Sequence, residues 1–171
     1  MKSSRTQPIT EKWVINASPV IALARVGQVE LLKRLPERVV IPQAVARELR
    51  AAPEVDPARR MVESDLFKII RVSPVSAEIL AWDLGSGETE VLAYALAHPG
   101  WVAILDDGAA RRCARSLSVT YMGTLSVVIL AKQRGLIESA AQVLHNLHSN
   151  GFHLDDAIIR EALARTVKEP W

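Results

Sequence analysis

Short apolar runs rich in β-branched residues alternate along this chain with longer segments in which apolar residues recur at helical spacing. Runs of strand length alternating with amphipathic helices are typical of βαβ units built on a parallel sheet. The pattern therefore predicts an α/β fold with these strands: Trp13 to Asn16, Val39 to Ile41, Leu66 to Val72 at a sheet edge, Trp101 to Leu105 and Val119 to Tyr121.

Helix-starting and helix-ending residues lie between these runs. Ser18 is expected to cap a helix that Pro19 opens and Gly27 ends, because serine favours the N-cap and proline the first turn. Gly135 is expected to take the left-handed conformation that ends a helix. Further helices are expected at Val29 to Leu35, Gln43 to Arg50, Ala58 to Ser64, Ser76 to Trp82, Glu88 to His98, Ala109 to Leu117, Leu125 to Arg134, Glu138 to Ser149 and Asp155 to Val167.

The size and composition of the chain predict a single domain. Its 171 residues, 49% hydrophobic and 23% charged, suit one compact core. We find no repeat, linker or low-complexity tract. We therefore expect a flexible N-terminal tail over 1–12, one domain over 13–168 and a C-terminal tail over 169–171.

Charge and cysteine content exclude several classes of protein. The 21 basic and 19 acidic residues give a net charge of +2, which permits an RNA partner but excludes binding by dense positive charge alone. The single cysteine, Cys113, excludes an intramolecular disulfide and favours a reducing cytoplasm. We expect it to be a small buried residue. No apolar run approaches the length of a membrane span, so we expect a soluble protein without membrane contact.

Polar residues at the ends of the predicted strands are the candidates for chemistry. Asn16 ends the first strand, Asp106 and Asp107 follow the fourth, and Glu88 opens the helix before it. Glu48 lies on the helix after the second strand and can reach the same crevice. Carboxylates gathered at one edge of a parallel sheet repel one another unless they share a cation. Such hard oxygen ligands suit Mg²⁺ or Mn²⁺, which can activate water for attack on a phosphodiester.

Four segments resemble, in order and spacing, the acidic motifs of PIN domains. The resemblance runs from about Trp13 to Lys168 and is nearest to the VapC-like toxin branch. It implies a three-layer α/β/α fold with a central, mostly parallel sheet of four to five strands. The segments are Val14-Ile-Asn-Ala-Ser-Pro-Val-Ile-Ala-Leu23, Val40-Ile-Pro-Gln-Ala-Val-Ala-Arg-Glu-Leu49, Leu84-Gly-Ser-Gly-Glu-Thr-Glu90 and Ile104-Leu-Asp-Asp107.

The resemblance also implies roles for individual residues. The four acidic positions of the family fall on Asn16, Glu48, Glu88 and Asp107, with Asp106 as a neighbour that can substitute. Asn16 departs from the usual aspartate. Its amide oxygen can still contact a metal or water, but the site then carries one negative charge fewer.

Each of these acids also has a structural interpretation. Glu48 can be a solvated helix residue, and Glu88 can stabilise a helix N-terminus. Asp106 and Asp107 can cap the helix that follows them. Glu90 is expected to face solvent. Ser18, if it caps its helix, can also hydrogen-bond a ligand there.

Basic and histidine-rich segments offer further candidates. Arg111, Arg112 and Arg115 share a predicted helix near the site and either contact RNA phosphates or are simply solvated. A zinc site is the less favoured interpretation of a second group, since exposed helical histidines and N-cap aspartates also explain it: His145, His148, His153, Asp155 and Asp156.

The sequence thus predicts a cytoplasmic Mg²⁺- or Mn²⁺-dependent endoribonuclease, the toxin of a toxin–antitoxin pair. Its expected partners are an RNA substrate, a small cognate antitoxin and a second copy of the chain bound through the early helices. One alternative is a PIN-like module that binds RNA or a partner protein without cleaving. Another is a receiver-like domain phosphorylated on Asp106 or Asp107, which is weaker because its acidic pair is expected after an early strand.

Overall fold

A computed structural model of the protein describes residues 11–171, and most of the N-terminal tail expected over 1–12 lies outside them. The described part contains one five-stranded sheet in the order β3-β2-β1-β4-β5, with every neighbouring pair parallel. Helices flank this sheet, which confirms the expected α/β architecture. The strands are β1 (Lys12–Ile15), β2 (Arg38–Pro42), β3 (Lys68–Ile70), β4 (Trp101–Ile104) and β5 (Tyr121–Met122).

The helices of the described part match the predicted segments, with shifts of a few residues at their ends. They are α1 (Ala17–Arg25), α2 (Leu31–Arg34), α3 (Gln43–Arg50), α4 (Pro57–Glu63), α5 (Ala77–Leu80), α6 (Ser86–Ala97), α7 (Gly108–Ser116), α8 (Thr124–Gln133), α9 (Ala140–Ser149) and α10 (Asp156–Thr166). Within residues 11–171, no helix is both long and apolar enough to cross a membrane.

The strand order changes direction at β1. In the register, Val14 of β1 lies between Val40 of β2 and Ala103 of β4. The chain therefore moves to one side of β1 for β2 and β3, and to the other side for β4 and β5. In open parallel sheets this reversal leaves a crevice at the carboxyl ends of the two strands concerned. The residues that follow β1 and β4 consequently lie where a ligand site is expected.

The central strands are buried on both sides. Trp13, Val14 and Ile15 are fully inaccessible to solvent, and so are Ile104 and Leu105. A parallel strand covered by helices on both faces requires such a continuous apolar run. The adjacent polar residues therefore project from a rigid platform.

The first helix begins two residues earlier than a cap at Ser18 requires. Asn16 holds the N-cap position in an extended conformation, and its backbone N–H donates to Ile104 O at 3.0 Å. The chain can therefore turn into α1 at Ala17, directly after the last sheet contact. Ser18 lies inside the first turn and is exposed, so its predicted role as N-cap is wrong.

The predicted end of α8 is confirmed, whereas α6 begins two residues earlier than predicted. Gly135 has a φ of +69°, which confirms the left-handed end of α8. The helix predicted to open at Glu88 begins at Ser86, which places Glu88 in its first turn. Cys113 is buried as expected, and burial raises the pKa of its thiol.

The segment 169–171 contacts the body of the domain. The Glu169 carboxylate accepts hydrogen bonds from the Ser139 hydroxyl and from the backbone N–H groups of Ala140 and Ala141, at the start of α9. The ring of Trp171 stacks on His145 with centroids 3.9 Å apart. Glu169 thus satisfies helix donors that would otherwise need water.

Glu169→Gln is expected to lower the free energy of unfolding at neutral pH by about 1 kcal/mol, the usual contribution of a helix cap. Burial alone would raise the pKa of Glu169, but hydrogen bonds from Ala141, Ser139, Ala140 and Lys132 lower it below its ordinary value. A depressed folded-state pKa gives stability that is complete above the ordinary value of 4.5 and is lost as the pH falls through the folded pKa.

Chemical denaturation of both proteins at several pH values tests this prediction. The difference in unfolding free energy between them should narrow as the pH falls below 4.5. Glu78→Gln, at an exposed acid, is the control and should leave stability unchanged. A Glu169→Gln difference that does not vary with pH would refute the ionic part of this cap.

Candidate active site

Three of the predicted site residues meet around Gly87, a buried glycine in the first turn of α6. A β-carbon built on Gly87 would lie 2.8 Å from Asn16 Oδ1 and 3.2 Å from Glu48 Oε2. Asn16 Nδ2 donates a 2.9 Å hydrogen bond to Glu88 Oε1. The amide and the two carboxylates therefore form one contiguous group.

Different elements place these three side chains. Asn16 follows β1, Glu48 lies on α3, and Glu88 lies in the first turn of α6. Buried Val45 and Leu49 fix the face that α3 turns toward the core. Glu88 benefits from the partial positive charge at the N-terminus of α6.

Glu90 has a part in this arrangement that the sequence did not reveal. Its Oε2 accepts a 2.9 Å hydrogen bond from the backbone N–H of Ala44, in the first turn of α3. Glu90 is half-buried, so the expectation that it faces solvent is wrong. It links the start of α6 to the start of α3, the helices that carry Glu88 and Glu48.

The electrostatics of the group raise the proton affinity of one carboxylate. Burial, followed by repulsion from Glu88, raises the pKa of Glu48 above its ordinary value. Glu48 nevertheless keeps one side open to solvent. Two carboxylates held this close are the arrangement that a shared cation relieves.

The amide oxygen of Asn16 is buried and has no hydrogen-bond partner among the described residues. Such an atom costs about 1–3 kcal/mol, so its retention calls for an explanation. Gly87, having no side chain, leaves open the space between this oxygen and Glu48. Amide and carboxylate oxygens are the hard ligands that Mg²⁺ and Mn²⁺ prefer. The residues of this group therefore fit a divalent metal.

A cavity of about 210 Å³ opens in front of the group. One side is formed by the predicted residues Asn16, Ser18, Glu48 and Glu88. The rest of its wall comes from α1 and from the end of α9 with the loop after it: Ile21, Ala22, Arg25, Leu147, Asn150, Gly151 and Phe152. Arg25 and Phe152 were not predicted.

The two aspartates after β4 do not line this cavity. Asp107 Oδ2 accepts a 2.8 Å hydrogen bond from Ala110 N–H and caps α7, as its structural interpretation predicted. Asp106 Oδ1 accepts from Thr124 N–H at 2.8 Å, and its Oδ2 accepts from the Thr124 hydroxyl at 2.6 Å. Asp106 therefore holds the start of α8, and we leave it out of the metal ligands that we propose.

The composition of the site is thus two carboxylates and one amide around a single glycine. Nowhere in residues 11–171 do three or more His, Cys, Asp or Glu side chains come close enough together to hold a metal ion. The same finding contradicts the zinc site considered for the histidines and aspartates around α9 and α10. His148 contacts His153 edge-on with centroids 5.2 Å apart, and Asp155 caps α10.

The three arginines of α7 do not line the cavity either. Arg111 Nε donates to Leu105 O at 3.2 Å and its guanidinium lies 3.6 Å from Asp106, which gives it a structural role. Arg115 donates to the Tyr121 hydroxyl at 2.9 Å. Arg112 is exposed. The arginine at the cavity is Arg25, which is 3.5 Å from Asp56 and nearly half exposed.

Gly87→Ala is expected to lower the free energy of unfolding by about 1–3 kcal/mol, because the added methyl group meets the oxygens of Asn16 and Glu48. Gly108→Ala is a matched control in the first turn of α7, where the nearest atom to a new β-carbon is the flexible end of Arg112 at 3.4 Å. That change should be neutral or slightly stabilising. Thermal melting of both variants checks this, and equal shifts would contradict the close packing at Gly87.

Comparison with known proteins supplies a family for this site. No curated protein matches the chain. A family model described as a PIN domain matches residues 12–168. The fold of that family is a nuclease fold, and its nucleases usually need divalent metals. With a match over nearly the whole chain and the parallel sheet described above, the protein belongs to the PIN-domain family.

Proposed function

We propose that this PIN domain is a Mg²⁺- or Mn²⁺-dependent endoribonuclease that hydrolyses RNA at the cavity formed by Asn16, Glu48 and Glu88. The observation that carries the proposal is the buried amide oxygen of Asn16. It lacks a protein partner within the described residues and shares the space at Gly87 with the Glu48 carboxylate. A cation bound there would give the buried oxygen a partner and relieve the repulsion between the carboxylates. Membership of the PIN-domain family supports a nuclease.

The residues have separate tasks in this proposal. Glu48, Glu88 and the Asn16 oxygen would hold the metal, which supplies an activated water and neutralises charge on the phosphodiester. The hydrogen bond from Asn16 Nδ2 orients the Glu88 carboxylate. In the metal-free protein, burial and then repulsion from Glu88 raise the pKa of Glu48, and a cation bound between the two carboxylates would relieve that repulsion. Asp107 caps α7 and lies outside the cavity lining, so we leave it out of the proposed ligands.

The remaining cavity wall suits a nucleic-acid chain. Arg25 offers a guanidinium for a phosphate, and Ser18 an exposed hydroxyl. Phe152 is half-buried in the same wall and offers an aromatic ring for a base. The backbone of Phe152 is held by the hydrogen bond that its N–H donates to Leu147 O at 3.0 Å. Arg112 remains a candidate contact for a more distant phosphate.

Cleavage of a labelled single-stranded RNA with Mg²⁺, with Mn²⁺ and with EDTA tests the proposed function. Cleavage inside the strand should require the metal and return when Mn²⁺ is added back to the EDTA-treated protein. A preparation that binds RNA but does not cleave it with either metal would refute the nuclease.

Phe152→Leu is expected to raise KM for that RNA about tenfold, the effect of losing one stacked base, with little change in kcat. Phe152→Tyr is the matched control because it keeps the ring, and its KM should stay near that of the unmodified protein. Steady-state kinetics on the same substrate measure both. Equal KM values for the two variants would remove Phe152 from the substrate site.

We further propose that the protein is the toxin of a toxin–antitoxin pair. The resemblance of its four motifs to the VapC-like branch supports this role. The expected partners are a small antitoxin encoded beside it and a second copy of the chain. Expression with and without the neighbouring gene tests the pairing, and growth arrest only without that gene is the expected result. Light scattering of the purified protein tests the dimer.

A second candidate function is binding without cleavage. The neutral amide at Asn16 favours it, because the site has only two carboxylates at the cavity. RNA binding that persists in both metals without any product would support this candidate. A receiver-like role is not favoured, since Asp106 binds Thr124 and Asp107 caps α7.

A further inference from the structure

A second cavity, of about 510 Å³, begins at the amino ends of the strands, away from Asn16, and Val40 and Ile70 extend its wall over the sheet; we call it the amino-edge cavity. Arg38, Lys68 and Trp101 line it, and each is the first residue of its strand. Tyr94 of α6 completes the polar part of the wall. Basic and aromatic side chains thus surround a space large enough for a small ligand.

The aromatic side chains of this cavity are held at right angles. The rings of Tyr94 and Trp101 have centroids 5.0 Å apart and an interplanar angle of 84°. His98 stacks on Tyr94 with centroids 4.0 Å apart, which fixes the tyrosine ring from outside the cavity wall. The result is a corner of two rings against which a flat ligand can lie.

The charged side chains beside this corner are both positive. Arg38 and Lys68 are exposed, and neither forms an ion pair with any acid of residues 11–171. Burial raises the pKa of Tyr94, and the positive charge of Arg38 lowers it. Arg38 therefore interacts electrostatically with the aromatic corner. The nearby acids Glu11 and Glu37 do not line the cavity.

We propose that the amino-edge cavity binds a nucleoside phosphate, either free or as one nucleotide of an RNA strand. Arg38 and Lys68 would contact the phosphate, since a guanidinium and an ammonium supply the donors that phosphate oxygens accept. The base would lie in the corner of Trp101 and Tyr94, because every base has a face that stacks on an aromatic ring. This site is separate from the carboxyl-edge cavity and does not depend on the proposed nuclease activity.

Calorimetric titration of the whole protein in EDTA tests the proposal without any cleavage. The ligands are UMP, AMP, inorganic phosphate, adenosine and a short oligouridylate. The two nucleotides should bind at least about tenfold more tightly than phosphate or adenosine, because only they engage both halves of the cavity. Equal binding of phosphate and nucleotides would overturn the proposal in favour of a simple anion site. Binding of the oligouridylate that is tighter than that of UMP and is weakened by Arg38→Ala would identify a strand as the source of the nucleotide, and the reverse order a free nucleotide.

Variants locate the bound nucleotide. Arg38→Ala and Lys68→Ala, both at exposed positions, should each weaken AMP binding about tenfold, whereas Arg60→Ala on exposed α4 surface should not. Trp101→Phe should keep binding and Trp101→Leu should lose it. Phe152→Leu, in the carboxyl-edge cavity, reports nucleotide bound at the proposed RNA site instead. Loss of binding in Phe152→Leu with full binding in Arg38→Ala would place the nucleotide at the other cavity and overturn the inference.

Discussion

Asn16→Asp is expected to lower the free energy of unfolding by about 3 kcal/mol in metal-free protein and to reverse this loss when Mn²⁺ is added. Asn16 is only 2% exposed, and its amide N–H donates to Glu88. The substitution removes that donor and puts a third carboxylate beside Glu48 and Glu88. Without a cation, the new charge is buried among charges of the same sign.

A bound metal reverses the sign of this effect. The new carboxylate is a stronger ligand than the amide, so metal binding to the folded state should be tighter and should stabilise it more. RNA cleavage should rise with it. Melting temperatures with and without Mn²⁺, together with cleavage rates, measure both effects, and Asn146→Asp on exposed α9 surface is the control. A destabilised Asn16→Asp protein that Mn²⁺ does not rescue would show that Asn16 is not a ligand.

Glu88→Gln is expected to reduce RNA cleavage by at least about a hundredfold at saturating substrate. The change keeps the shape of the side chain and an oxygen that can accept from Asn16, but it removes the charge that would hold the metal. In metal-free protein the change removes the repulsion that, after burial, raises the pKa of Glu48, and it also removes a favourable negative charge from the first turn of α6, so stability should change little. Loss of cleavage without loss of stability distinguishes a functional acid from a structural one.

Single-turnover cleavage and chemical denaturation measure these two quantities on the same samples. Glu78→Gln, at an exposed acid of α5, controls for removal of an acidic charge and should behave as the unmodified protein. If Glu88→Gln cleaved RNA normally, the catalytic site would have to lie elsewhere on the domain.

Local pattern was enough to predict the order of strands and helices and to propose part of the site, although β3 is shorter than the expected Leu66 to Val72 and β5 begins two residues later than expected. The apolar run Trp101 to Leu105 predicted a central strand, and β4 is one. Asn16 could be placed at the crevice because it directly follows another such run. Glu48 shares α3 with Val45 and Leu49, whose spacing predicted the buried face of that helix.

The rest of the site depends on contacts between segments far apart in the chain. Phe152 reaches the cavity through the loop after α9, and no local pattern near it indicates a partner in α1. Asp106 and Asp107 follow a buried strand, as metal ligands do, yet one oxygen of each accepts a hydrogen bond from a backbone N–H at the start of α8 or α7. The sequence alone is compatible with either role, metal ligand or helix cap, for an acid at a strand end. The position of the neighbouring helix decides between them.

Direct measurement of Mn²⁺ binding tests whether Asn16, Glu48 and Glu88 form a divalent-metal site. Electron paramagnetic resonance of free Mn²⁺, titrated with the whole protein at neutral pH, reports the bound fraction without any substrate. We expect saturable binding that is lost in the Glu48→Gln, Glu88→Gln double variant and kept in Glu78→Gln. Binding of equal strength in the double variant, or no saturable binding by the unmodified protein, would contradict the proposed metal site.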